Sequence, residues 1–262
     1  MTAKKRETKR IPKYEQEELD AYHQRAMSMR RGPNDFVKIK ELDFKLTTKQ
    51  KELIEIIKQN KIVTVTGPPG TAKTMTACYA AVQLFLSGSV SKIIISKPTE
   101  VLSGTKDLGA LPGTLEDKIQ VYAESFFDAF EDILEPQDFK ALWDSGAIEF
   151  KPAQFLRGRT LKNSVIIIDE YQNFDIKALK SIVTRLGRGS TMVFMGDTKQ
   201  NDINKKYVAI ETFNSILEGL KHCATFAFTR EDIVREKLLI DIIDRFELFE
   251  DNKLLPETHK NT

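Results

Sequence analysis

The sequence predicts an α/β fold: a mostly parallel sheet with helices on both faces and a helical insertion. Three observations carry this reading. Short continuous apolar runs such as "IVTVT", "KIIIS", "SVIII" and "MVFMG" suit strands buried on both faces rather than half-exposed ones. Helical patterns separate the runs. A Gly/Pro turn joins the first run to a helix in "TVTGPPGTAKTMTA", residues 64–77.

The elements follow in order. Residues 1–13 are charged and poor in apolar side chains, so they read as an arm without a core of its own. It is either a solubilising tail or a basic contact for phosphates or another subunit. A short polar helix over 14–31 is broken by "RGPND". Leu46, Leu53, Ile54, Ile56 and Ile57 lie near helical spacing, with Thr47 or Thr48 as N-cap. A strand at 62–66 precedes a helix from Thr74 to Leu86, stopped by Ser87-Gly88. Strands follow at 92–96, 164–170, 190–197 and 224–228, with helices at 175–186, 208–220 and 232–249. The stretch from about 100 to 150 reads as the helical insertion, with Phe126, Phe127 and Phe130 packing inward. The expected organisation is a basic arm and short helix over 1–35, one α/β domain over 36–250, and a tail over 251–262.

Composition narrows the function. The 262 residues are 41% hydrophobic and 9% aromatic, enough for a sizeable core. Forty Lys and Arg against 38 Asp and Glu leave a net charge of +2. Any nucleic-acid site must therefore come from local placement of basic side chains. Cys78 and Cys223, and His23, His222 and His259, are scattered, which argues against a zinc site and an oxidising compartment. No run approaches the roughly twenty apolar residues that span a bilayer. No apolar segment follows the basic start either. A soluble cytoplasmic protein without membrane contact is expected.

Gly67, Pro68, Pro69, Gly70, Thr71, Ala72, Lys73 and Thr74 fit a phosphate-binding loop, with Met75 next, except that Ala72 stands where glycine is expected. Inward backbone N–H groups and a helix N-terminus would cradle phosphate oxygens. Lys73 would reach the β and γ phosphates and Thr74 would ligate magnesium. The Ala72 methyl is tolerable if φ is negative and Cβ points away from the phosphates. Asp169-Glu170 end a buried strand, where open α/β sheets bind ligands. Asp169 suits a magnesium ligand and Glu170 a group that handles the attacking water. An acidic helix start would look similar. Gln200, just past the strand ending in Gly196-Asp197, could touch the γ phosphate or position water. Gln50 could pair with adenine, or be one more polar residue on a helix.

"GPPGTAKT", "LGALPGTLEDKI", "FLRGRTLKNSVIIIDEYQN", "TRLGRGSTMVFMGDTKQND" and "DIVR" occur in the order seen in PhoH-like ATPases, which the chain resembles from about residue 42 to 245. These are related to superfamily 1 helicases. The resemblance implies a RecA-like P-loop NTPase domain that hydrolyses ATP with Mg2+, in some members assembled as rings or linked to RNA unwinding or processing. Tyr171 departs from the family, where alanine usually follows the acidic pair. By analogy with the helicases, Ser96, Lys97, Thr99, Arg157 and Arg159 would face single-stranded RNA or DNA, with phosphate contact as their chemistry. A transition-state arginine often crosses a subunit interface. A homo-oligomer is therefore expected, a ring such as a hexamer. A gel-filtration mass of a monomer with and without nucleotide would contradict it. Arg185 corresponds topologically to the finger of AAA-type rings. Arg235 resembles a late-motif helicase arginine acting within its own subunit. Two other readings remain: a nucleotide-gated protein-interaction switch, and a small-molecule kinase.

Overall fold

The computed structural model describes residues 37–98, 115–156, 158–197 and 204–252. Thr99, Arg157, Gln200 and the basic arm lie outside them. The elements are α1 (Thr48–Gln59), β1 (Ile62–Thr66), α2 (Lys73–Leu86), β2 (Lys92–Ser96), α3 (Leu115–Ile133), α4 (Pro136–Asp144), β3 (Ile148–Phe150), β4 (Ser164–Ile168), α5 (Ile176–Val183), β5 (Thr191–Gly196), α6 (Asn204–Leu217), β6 (Cys223–Ala227) and α7 (Lys237–Asn252). Short 3-10 turns sit at Ala153–Leu156, Tyr171–Asn173 and Arg230–Asp232.

The six strands form one sheet in the order β3-β2-β4-β5-β1-β6, and every pairing is parallel. Strands β4 and β5 are buried at every residue, as the continuous apolar runs predict. Alternate side chains face opposite layers. Val63, Val65, Ile93, Ile95, Val165, Ile167, Val193 and Met195 pack with α1, α2, α3 and α4. Ile94, Ile166, Ile168, Met192 and Phe194 pack with α5 and α6. Phe126 and Phe130 are fully buried, as their spacing suggests, and Phe130 stacks on Phe139 with ring centroids 5.5 Å apart. Cys78 is buried too. Its apolar surroundings push the thiol well above its usual range, which suits packing rather than reactivity. Among the described residues no helix is long and apolar enough to cross a membrane.

Boundaries differ from the sequence reading at several elements: the strand expected at 164–170 ends at Ile168, the helices expected at 175–186 and 208–220 span Ile176–Val183 and Asn204–Leu217, and two further differences bear on the site. The insertion ends in the edge strand β3, whose three residues pair with β2. A three-residue strand carries too little pattern to separate it from the helices before it. The last helix starts at Lys237, not 232. Thr229 caps a 3-10 turn, and the Val234 N–H donates to the Gly70 carbonyl at 3.0 Å. That backbone donor is spent on the phosphate loop instead of on a helix.

Candidate nucleotide site

The sheet order puts β4, β5 and β1 side by side, so the turns after their C-terminal ends converge. They border a hollow of about 610 Å³ lined by Lys73, Thr74, Lys97, Asp169, Glu170, Asp197 and Arg235, among others. Such a place, at the carboxyl ends of parallel strands where the strand order changes direction, is where ligands bind in open α/β sheets.

The loop from Gly67 to Ala72 is held from several sides. Thr71 is fully buried, and its hydroxyl donates to the Pro68 carbonyl at 3.0 Å, so this side chain braces the loop. Gly67 lies so close to Phe228 that a Cβ there would stand 2.6 Å from the phenylalanine Cβ. A Cβ on Gly70 would stand 3.1 Å from Arg235 Cγ. Residues 228–235 thus run along the outside of the loop, and Arg235 faces the same hollow as Lys73. The Lys73 ammonium donates to the carbonyls of Gly67 at 2.6 Å and Pro68 at 2.9 Å. Burial lowers its pKa, against the pull of Asp197, Asp169 and Glu170, which raises it.

Ala72 corrects an expectation. Its backbone is left-handed, φ 59° and ψ 34°, not negative. That conformation costs a non-glycine residue about 1–2 kcal/mol. It is retained because it turns the chain from the loop into α2, whose N-terminus has no side-chain cap and so presents its orphan N–H donors to the hollow. Ala72→Gly is expected to stabilise the fold by about 0–1 kcal/mol, strain relief being partly offset by the freer unfolded chain. Urea denaturation measures this, and a loss larger than about 1 kcal/mol would contradict it.

The carboxylates come from β4. The Asp169 N–H donates to the Ser96 carbonyl at 2.8 Å, and the Asp169 carboxylate pairs with Lys97 at 3.3 Å. Glu170 also sits in the left-handed region, φ 54°. Desolvation, then Asp169, raise its pKa, while Lys97, Gln172 and Lys73 pull the other way. Gln172, 1% exposed, donates through Nε2 to Glu170 Oε2 and accepts from the Asp197 N–H at 3.2 Å through Oε1. Tyr171 faces away from the hollow. It is fully buried between Phe194 and Phe213, and burial pushes its hydroxyl up to about 12.

Several expected site residues stand elsewhere. Ser96 is fully buried and cannot meet a strand of nucleic acid from there. Lys97 points to Asp169 and over the Phe126 ring, 5.0 Å from its centroid, so it belongs to the hollow. Gln50 is 2% exposed and its Oε1 accepts from the Thr47 N–H at 3.0 Å. It closes the capping box of α1 and does not border the hollow. The Arg185 carbonyl accepts from the Leu161 N–H, and its guanidinium donates to Thr184 at 3.1 Å. Leu161 precedes the start of β4, so Arg185 lies at the opposite end of the sheet and does not serve the site of its own chain. Arg159 is exposed. The sequence reading overlooked Gln172, and Phe155, 55% exposed and four residues before Arg159.

A family model described as PhoH-like protein matches residues 44–247. The chain belongs to the PhoH-like family. A PhoH-like protein of Synechocystis is 35% identical over 202 residues, 77% of this chain and 61% of that protein. One from Mycobacterium tuberculosis is 36% identical over 206 residues, covering 78% and 58%. One from Bacillus subtilis is 34% identical over 202 residues, covering 77% and 63%. The PhoH-like chain described here thus spans about 60% of the length of these relatives. Among solved structures, the large terminase of a thermophilic bacteriophage matches with a TM-score of 0.50 and 11% identity, over 77% of this chain and 50% of the terminase. The fold is the RecA-like fold of P-loop NTPases, and the phosphate loop, the carboxylate pair and the β5 terminus of this PhoH-like domain occupy one hollow.

Proposed function

We propose that the protein is a magnesium-dependent ATPase whose cycle is coupled to single-stranded RNA or DNA. The observation that carries the first half is the meeting of Lys73, Thr74, Asp169, Glu170 and Arg235 around one hollow. The N–H groups at the start of α2 would receive the phosphates. Lys73 would leave the carbonyls of Gly67 and Pro68 to grip the β and γ phosphates. Glu170 would orient the attacking water and accept its proton, and Arg235 would offset charge on the γ phosphate from within the same chain.

The donor set suits magnesium. Among the described residues no group of three or more His, Cys, Asp or Glu is arranged to hold a metal alone. Magnesium with one or two protein oxygens and the phosphates themselves is the arrangement such a set allows. Thr74 and Asp169 would hold it, and its charge would neutralise the triphosphate.

Support for the nucleic-acid half comes from Phe155 and Arg159. An exposed aromatic ring four residues along the chain from an exposed guanidinium suits base stacking with phosphate contact. The switch reading has its own support: Leu238 and Phe246 of α7 are 66% and 63% exposed, in the helix that follows Arg235, and offer an apolar face to a protein partner. ATP hydrolysis measured with and without single-stranded RNA and DNA separates the two. Stimulation of at least about threefold, lost in high salt as phosphate contacts require, is expected. Hydrolysis that neither nucleic acid alters would favour the switch.

A further inference from the structure

We infer that Gln172 is a positioning residue that aims Glu170 and ties it to the end of β5; the inference rests on the hydrolytic reading above. A primary amide buried to 1% exposure is costly unless both its ends find partners. Both do here. Its Nε2 donates to the Glu170 carboxylate, and its Oε1 accepts from the Asp197 N–H at 3.2 Å. The amide reaches from the turn after β4 to the end of β5 through two hydrogen bonds of opposite direction, one donated and one accepted. A carboxylate could not donate to Glu170, and an ammonium could not accept from Asp197.

The neighbours are built around this bridge. A Cβ on Gly196 would stand 2.4 Å from Gln172 Oε1, so the bare glycine backbone is what lets the amide lie against β5. Glu170 holds a left-handed backbone in a crowded half-buried place, next to Asp169 and within the pull of Lys97 and Lys73. Through its Nε2 donor Gln172 fixes the direction of the Glu170 carboxylate. Because its other end rests on the Asp197 N–H, any shift of the β5 terminus moves the aim of Glu170. Gln172 lines the hollow beside Glu170, but its amide is engaged at both ends, so it acts through Glu170.

The test uses the full chain and compares wild type with Gln172→Met, Gln172→Glu, Glu170→Gln and the Glu170→Gln/Gln172→Met pair. Methionine fills the same volume without either bond. Glutamate keeps an acceptor for Asp197 but sets a second carboxylate against Glu170. Both single changes are expected to lower kcat for ATP about 10- to 100-fold, the size of a lost hydrogen bond to a charged group, with KM and ATP affinity within about twofold. In the Glu170→Gln background, Gln172→Met should leave the single-turnover rate within about twofold. Unchanged kcat in the single variants overturns the inference, as does a second full loss in the double variant. So does a fall in kcat matched by equal losses of ATP affinity and melting temperature, which is what a purely structural amide would produce. Absence of hydrolysis in wild type under every condition would instead overturn the proposed function, and the inference with it.

Discussion

Lys73→Ala is expected to weaken ATP binding on the order of 100-fold or more, the worth of two charge-assisted contacts to phosphate. The reason is the charge balance of the hollow. Asp169, Glu170 and Asp197 all act on the Lys73 ammonium, and a triphosphate brings further negative charge to the same space. Lys97 is already engaged with Asp169. Removing Lys73 leaves Asp169, Glu170 and Asp197 at the hollow against Lys97 and Arg235. The ammonium also bonds two loop carbonyls without ligand, contacts it would exchange for phosphate oxygens. Isothermal titration with a non-hydrolysable ATP analogue reads the affinity. Binding of wild-type strength would remove the loop from the account of this site.

Glu170→Gln is expected to lower turnover by about 10²–10⁴-fold, the range for loss of a general base, while ATP binds at least as tightly. Glutamine has the same shape and retains an acceptor oxygen for the Gln172 amide, so the turn after β4 should keep its form. A second consequence concerns stability. Burial and Asp169 raise the folded-state pKa of Glu170 above its ordinary value. A carboxyl with a raised pKa costs stability wherever it is ionised, and the cost disappears below the unfolded pKa, where both states are protonated. Nucleotide-free Glu170→Gln should therefore melt higher than wild type near about pH 8, with the difference closing toward about pH 4. Full turnover would exclude Glu170 as the group that handles water. A melting difference that grew as the pH fell would contradict the assigned sign.

Much of the fold was legible before any coordinates. The runs 62–66, 92–96, 164–168 and 191–196 are continuous and apolar because the strands are covered on both faces, and such runs mark themselves in one dimension. Lys73, Asp169 and Glu170 could be named because a phosphate loop and a carboxylate at a strand end are local patterns with local chemistry. Other features resisted for physical reasons. Strand β3 is three residues long, stabilised by pairing with β2 rather than by its own pattern. Negative φ at Ala72 was the condition for tolerating its methyl, and the residue is left-handed instead, a backbone choice that the neighbouring residues do not reveal.

The sequence by itself determined the parallel α/β architecture, the Gly/Pro turn between β1 and α2, and the acidic strand end. Each is specified by residues close together in the chain, through periodicity, turn chemistry and capping. Only the tertiary structure decided which side chains share the hollow. Lys97 turned out to belong with Asp169, Arg235 with the phosphate loop and Gln172 with both Glu170 and Asp197, while Gln50 and Arg185 were directed elsewhere. Those partnerships depend on the strand order, which sets β4 against β5 and β5 against β1. Strand order follows from the packing of distant segments, and a distant pairing leaves no mark on the residues beside it in the chain.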